Sequence, residues 1–290
     1  MSKNLYGALF MILSMFGYAS TDAFIKYIGL ILPLSEIIFL RGVIAVFFLF
    51  LLTYIRKELI VTIKRSQLKF LILRVLGDVG CTVFFLTALI NMKLATATAI
   101  LQCLPLALAF AAALFLKEKV GIKRWSAIII GFTGVLIIIK PTSNDFNYYS
   151  LLALLAVFFI VLRDISTKKL DPSIPSTYVS FITAISVTLT GLFFSPFQDW
   201  IVPTVEIIWG LSATALFLIV GILFNVMCMR VGEVSFVVPF RYSIIIFAII
   251  YGIIFYNEIP DFPMISGTII IISTGLYTLY RERKNLIKDY

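Results

Sequence analysis

Ten runs of predominantly apolar residues, separated by short polar and basic stretches, fill the chain from Leu5 to Tyr280. In order they are Leu5 to Gly29, Leu34 to Ile55, Leu68 to Met92, Thr96 to Leu116, Trp125 to Ile139, Tyr149 to Thr167, Thr177 to Ser195, Glu206 to Met229, Val234 to Tyr256 and Pro263 to Tyr280. An α-helix needs about 20 such residues to cross the hydrocarbon core of a bilayer, so the pattern predicts ten transmembrane helices, the fifth being the shortest. Only Lys3 precedes the first run as a basic residue, no small-residue cleavage signature follows it, and Asp22 and Lys26 lie near its end. It therefore reads as a retained helix rather than a signal peptide. No stretch reads as a soluble domain.

Composition agrees, since 61% of the residues are hydrophobic and 13% charged, against roughly one quarter charged in a soluble domain. The formal charge of +9 excludes a nucleic-acid surface because the basic residues punctuate apolar runs instead of gathering on one soluble face. Their alternation carries topology. Lys3, Arg56, Lys57, Lys64, Arg65, Lys69, Lys117, Lys119, Lys123, Arg124, Lys168, Lys169, Arg230, Arg281, Arg283, Lys284 and Lys288 fall on one side, and Lys93 and Lys140 on the other. The basic side is expected to be cytoplasmic, which puts both termini inside a multi-pass protein of the cytoplasmic (inner) membrane. Cys81, Cys103 and Cys228 lie within apolar runs without metal or redox spacing and read as small buried residues. The chain has no histidine, which removes imidazole catalysis and histidine proton relays and leaves carboxylates for any proton coupling.

The chain also resembles itself. Asp22, Lys26 and Pro33 recur as Asp164, Lys168 and Pro175 at an offset of 142. Glu118 recurs as Glu258 at 140, and Gly134 as Gly275 at 141. The expected domains are therefore two five-helix repeats, residues 1–140 and 141–290. An odd number of helices per repeat makes the second enter the membrane from the opposite side. The predicted fold is an all-α integral membrane protein of ten helices in two inverted repeats, the arrangement by which many secondary transporters expose one midplane site to each side in turn.

With Leu104-Pro105, Leu116-Lys117-Glu118, Gly131, Gly134 and Phe255-Tyr256-Asn257-Glu258 in place, the chain resembles the drug/metabolite transporter superfamily, specifically its EamA-type transporters. The resemblance covers almost the whole length and implies ten helices in two five-helix repeats. Val238-Pro239-Phe240-Arg241-Tyr242, Glu258-Ile259-Pro260 and Gly275-Leu276-Tyr277 with Arg281 are similar to the branch of S-adenosylmethionine and riboflavin uptake carriers. The family's second-half pattern has a proline some thirteen residues before the glutamate. Here that place is Ile245, with Pro239 earlier, so the helix break expected at Pro105 is not carried over to the second half.

An ionisable group inside a span costs several kcal/mol unless paired, hydrated or able to reach the interface, so such groups are the candidates for function. Arg41, Arg241, Asp78 and Asp22 lie deep, and Arg163 and Asp164 less so. Glu36, Lys26 and Arg74 are near enough to span ends to reach an interface. Asp22 with Lys26, and Arg74 with Asp78, are each four apart and suited to pair on one helix face. Neither Arg41 nor Arg241 has a carboxylate three or four residues away, which suits both guanidinium groups to a substrate carboxylate or phosphate. Tyr242, and Tyr18 one turn before Asp22, offer stacking faces and hydroxyls. Arg41, Arg241, Tyr242, Tyr18, Asp22, Asp78, Arg163 and Asp164 form the candidate substrate-binding set. Glu118 and Glu258 lie at span ends, where a carboxylate costs little, and the family resemblance implies a structural cap or gate there, not a catalytic group. No catalytic residue, metal or cofactor is expected.

These readings converge on a secondary carrier for a small anionic or zwitterionic metabolite, such as an amino acid or nucleoside-like compound, working within a lipid bilayer. A homodimer is left open. No G-x-x-x-x-G-K-[ST] segment is present, so the chain is not expected to drive transport with ATP. A membrane-embedded transferase or hydrolase requires clustered aspartates or a nucleophile with its base, and neither is evident. A channel or non-transporting scaffold is the other alternative.

Overall fold

The computed structural model describes residues 3–59, 61, 63–115, 122–140, 147–171, 173–231 and 238–288. Among them the chain is helical throughout: α1 (Lys3–Ile28), α2 (Leu34–Ile55), α3 (Arg65–Asn91), α4 (Leu94–Leu101), α5 (Leu104–Phe115), α6 (Ile122–Ile139), α7 (Tyr149–Lys168), α8 (Ser176–Phe194), α9 (Val205–Val231), α10 (Ser243–Tyr256) and α11 (Phe262–Lys288). Short 3₁₀ turns at Ser195–Phe197 and Val238–Tyr242 precede α9 and α10. Five helices are long and apolar enough to cross a membrane, and five shorter apolar segments, Leu94–Leu108, Trp125–Ile139, Val205–Gly221, Phe240–Tyr256 and Phe262–Thr278, fall where the other predicted spans lie. The sequence Leu116-Lys117-Glu118 and the start of the ninth predicted span lie outside the described residues.

The outward faces are apolar. Along α2, Val43, Phe47, Phe50, Leu51 and Tyr54 are all more than 40% exposed and recur every three to four positions, which makes a continuous lipid-facing stripe. The inward faces bury large apolar side chains such as Ile25, Ile28, Leu89 and Ile271, with glycines and hydroxyl residues at the closest crossings. Because lipid tails are as apolar as leucine, helix association in a bilayer depends on close backbone approach and interhelical hydrogen bonds. Gly17 lets α1 reach α9, where a Cβ would stand 2.7 Å from both the Gly221 nitrogen and the Phe217 carbonyl oxygen. Ser14 Oγ donates to the Gly221 carbonyl at 2.7 Å in the same crossing. Gly77 does likewise between α3 and α7, a Cβ there meeting the Arg163 nitrogen and the Phe159 carbonyl oxygen at 2.8 Å.

These crossings obey the sequence offsets. An offset of 142 carries Gly17 onto Phe159, and one of 140 carries Gly77 onto Phe217, so the two close contacts fall at repeat-related positions with the glycine supplied by the opposite partner. The most extensive packing pairs α1 with α9, α3 with α7, α2 with α8 and α6 with α11, and α4 also packs on α10. Every one of these pairs joins one half of the sequence to the other. Pro33 and Pro175, also 142 apart, are the extended N-cap residues of α2 and α8, with ψ of 149° and 137°, as expected for a residue that cannot continue the preceding helix.

The predicted fourth span is interrupted as Pro105 requires. α4 ends at Leu101, Gln102 and Cys103 turn with i−3 bonds to Ala99 and Ile100, and α5 starts at Leu104. In the second half the described residues resume at the 3₁₀ turn Val238–Tyr242, which contains Pro239 and gives way to α10 at Ser243. The 140 offset carries Gln102, in the first-half turn, onto Tyr242.

Candidate functional site

The expected site residues fall into three neighbourhoods. The first lies where α3 crosses α7. Arg163 donates from Nη1 to Asp78 Oδ1 at 3.1 Å and from Nε to Asp164 Oδ1 at 2.8 Å. Arg74 Nη2 stands 3.7 Å from Asp78 Oδ2, which realises the expected four-apart pair, and its Nη1 donates to Thr167 Oγ1 at 2.5 Å. Two arginines and two aspartates thus share one network, held in reach of one another by the close approach at Gly77.

The second neighbourhood joins α1 to α2. Asp22 and Arg41 are electrostatic neighbours, yet among the described residues neither makes a direct ion pair or side-chain hydrogen bond. Both keep some accessible surface, as does Arg163. Cys81, one turn beyond Asp78, lies within electrostatic range of Arg163, Asp78, Asp164 and Asp22, so the two neighbourhoods are close to one another. Three arginine charges there face three aspartate charges: Arg41, Arg74 and Arg163 against Asp22, Asp78 and Asp164.

The third surrounds the 3₁₀ turn that leads into α10. Arg241 and Tyr242 end the 3₁₀ turn, which packs against α1, and Tyr18 packs with Phe240, Ile244 and Phe247 around Met11 and Met15. Arg241 is half-buried and has no ion pair among the described residues. Tyr242 is buried, with its hydroxyl lacking a partner among the described residues.

Two sequence expectations are corrected. Lys26 does not pair with Asp22. Its Nζ reaches Glu258 Oε1 and the Met92 carbonyl, each at 2.5 Å, and the Tyr256 ring at 5.2 Å. Nor do Lys26 and Glu36 reach out to an interface: they are 6% and 2% exposed, and Glu36 Oε2 accepts from the Ile201 nitrogen at 3.0 Å. Trp200 Nε1 also donates to Ser35 Oγ at 2.8 Å. Lysine and glutamate extend far enough to prefer a partner on another chain segment, which same-helix spacing does not reveal.

Sequence reasoning also missed a cavity of 340 Å³ between α1, α9 and α10, lined by Ser20, Ala23, Phe24, Tyr27, Phe217, Tyr251, Phe255 and Tyr256. Its α1 residues form one stripe, and by the 100° per residue of a helix Asp22 projects from the other side. The cavity is aromatic and separate from the charged region. Ser20 and Tyr251 share a 2.7 Å hydrogen bond in its wall.

Apolar helices with lipid-facing stripes and charges within the spans define the class, a multi-pass membrane transporter. The profile of the EamA-like transporter family matches twice, at residues 5–140 and 147–280, and the chain belongs to that family. It is 30% identical to an S-adenosylmethionine uptake transporter of Rickettsia bellii, over 97% of this chain and 96% of the relative. It is 26% identical to a riboflavin transporter of Vibrio cholerae, over 97% and 95%, and 25% identical to a pseudopaline exporter of Pseudomonas aeruginosa, over 96% and 97%. A solved crystal structure shares the fold with a TM-score of 0.67 at 15% identity, covering 97% of this chain and 99% of the other.

Proposed function

We propose that the protein is a secondary carrier of ten transmembrane helices that moves a small anionic or zwitterionic metabolite across the cytoplasmic membrane by alternating access, with both termini cytoplasmic. The reading takes residues 1–140 and 141–290 as inverted repeats, and the exchange of helix partners between halves supports it. In that arrangement, rocking one half against the other changes which side reaches the shared interior.

The observation that carries the substrate class is Arg41 beside Asp22. A guanidinium within a span, with no direct ion pair among the described residues, is free to take a carboxylate in a two-pronged hydrogen bond, and the adjacent carboxylate offers a counter-charge to an ammonium group. A zwitterion such as an amino acid satisfies both at once. Relatives are named for solutes as different as S-adenosylmethionine, riboflavin and pseudopaline, so the class is read from the charges and not from the names.

Flux of labelled S-adenosylmethionine and a panel of labelled amino acids into proteoliposomes tests the proposal. Saturable uptake in the native protein, lost in Arg41→Ala with thermal unfolding unchanged, is the expected result. Loss of folded protein in step with loss of uptake would make Arg41 structural, and a chemically altered product would make the protein an enzyme. Imposing a pH gradient decides the coupling, since uptake indifferent to the gradient excludes a proton.

A further inference from the structure

The aromatic cavity beside α1 is a groove in the lipid-facing surface. Helices α9 and α10 each pack on α1 and make no comparable packing with one another among the described residues, so α1 floors the gap between them. Ser20 and Ala23 keep that floor low, Phe217 walls it on α9, and Tyr251 and Phe255 wall it on α10. Phe24 stacks on Phe217 with ring centroids 5.8 Å apart. At the mouth, Tyr27 and Phe255 are 55% and 66% exposed, and aromatic rings exposed along a span face lipid.

The groove has one closed end. Phe16 sits edge-on to both Phe217 and Phe247, at 5.9 and 5.5 Å, and so bridges α9 and α10 one turn before Ser20. From Phe16 to the end of α1 at Ile28 is about 18 Å at the helical rise, close to the roughly 15 Å of half a hydrocarbon core. The groove therefore lies within one leaflet.

Its hydroxyl donors are already used. Ser20 Oγ donates to the Phe16 carbonyl at 2.8 Å, so its 2.7 Å bond with Tyr251 takes the tyrosine's hydrogen. Tyr256 donates to the Ala23 carbonyl at 2.5 Å. A polar solute would leave its own water partners and find few in exchange. A cation meets a further obstacle, because the Tyr256 ring already carries the Lys26 ammonium at 5.2 Å. An apolar chain loses nothing. Moving from bulk lipid into the groove brings it no hydrophobic gain, but it is met by ring and helix atoms on three sides, where a flat helix face offers one.

We propose that this groove binds one acyl chain of a membrane phospholipid, which enters sideways from the leaflet on the Tyr27 side and lies along α1 between α9 and α10. The bound chain supplies the packing that α9 and α10 do not give each other.

The test uses the full chain in proteoliposomes of phosphatidylethanolamine and phosphatidylglycerol, a fraction of the latter carrying a mid-chain diazirine. After extraction and washing in detergent, which strips loosely held lipid, irradiation fixes what remains and peptide-resolved mass spectrometry locates the adducts. Adducts on the segment from Ser20 to Tyr27 and on Tyr251 are expected to exceed those at Phe47 on α2, which is 61% exposed, by about ten-fold. Ala23→Leu, which raises the floor, is expected to lower the groove adducts by a similar factor and leave Phe47 unchanged. Phe255→Ala removes a wall at an exposed position that the fold does not depend on, and is expected to lower them several-fold. Adducts that simply follow exposure, or that persist in both variants, would overturn the proposal. So would a dimer in native mass spectrometry with an unlabelled groove, which would give the surface to a second copy of the chain.

Discussion

The hydroxyl of Tyr242 occupies the space that a Cβ on Gly275 would fill. Tyr242 ends the 3₁₀ turn before α10 and Gly275 lies on α11, so the absence of one methyl group lets a bulky ring settle between them. The ring has its hydroxyl buried there without a partner among the described residues. Gly275→Ala is expected to destabilise the protein by roughly 1–3 kcal/mol through overpacking. Tyr242→Phe removes both the obstructing atom and an unsatisfied polar group. The double variant is therefore expected to recover much of the loss, and strictly additive unfolding free energies would show that the contact does not matter.

A second prediction concerns Arg163, which serves Asp78 and Asp164 together. Removing one member of a partly buried charge network leaves its partners uncompensated and destabilises the fold. Arg163→Ala is thus expected to lower the thermal midpoint more than Asp164→Asn does, and Arg163→Lys to recover only part, because an ammonium lacks the fork that holds both carboxylates. Equal midpoints for the three variants would contradict the shared-network account.

At the crossing of α1 and α9 the neighbours of Gly17 are backbone atoms, which cannot rotate aside. Gly17→Ala is expected to separate the helices and cost roughly 1–3 kcal/mol, despite alanine's higher helix propensity of about 1 kcal/mol. Denaturation of the variant in detergent checks the sign, and a stabilised variant would contradict the close approach.

Asp261 offers a pH handle outside the spans. Partial burial pushes its carboxyl up, but the hydrogen bonds from Lys140 and the Met264 nitrogen and the charges of Lys140 and Lys93 outweigh that and hold it below its ordinary value. A depressed carboxyl stabilises the fold above its unfolded pKa of about 3.9, and the contribution fades as pH falls through the lower folded value. Asp261→Asn is expected to remove that acid-side slope while keeping an acceptor for the N-cap of α11. Asp261→Ala loses the cap as well, about 1 kcal/mol more. Identical midpoints for the native protein and Asp261→Asn from pH 7 to pH 3 would refute this.

The apolar runs located the helices because each must present lipid-facing side chains whatever its tertiary neighbours are. The break at Pro105 was equally legible, since a missing N–H acts locally. In the second half no proline stands thirteen residues before Glu258, and Pro239 lies instead in the 3₁₀ turn that leads into α10. Among the charges, Arg74 with Asp78 could be read from helix spacing. Arg163 with Asp78, and Lys26 with Glu258, could not, since those contacts are 85 and 232 residues apart and depend on which helices become neighbours. Asp22 lost its expected partner for the same reason: Lys26 is long enough to leave its own helix.

The exchange of partners between the halves bears on how the chain can be made. Since the most extensive packing of the long helices is with the opposite half, neither half has a core of its own to bury. Residues 1–140 or 141–290 made alone would leave their crossing faces open to lipid or to chance partners. Made together as separate chains, they would have in each other the surfaces they lack. The covalent link between α6 and α7 then serves supply and timing, ensuring equal copies in one membrane, more than it serves the folded state itself.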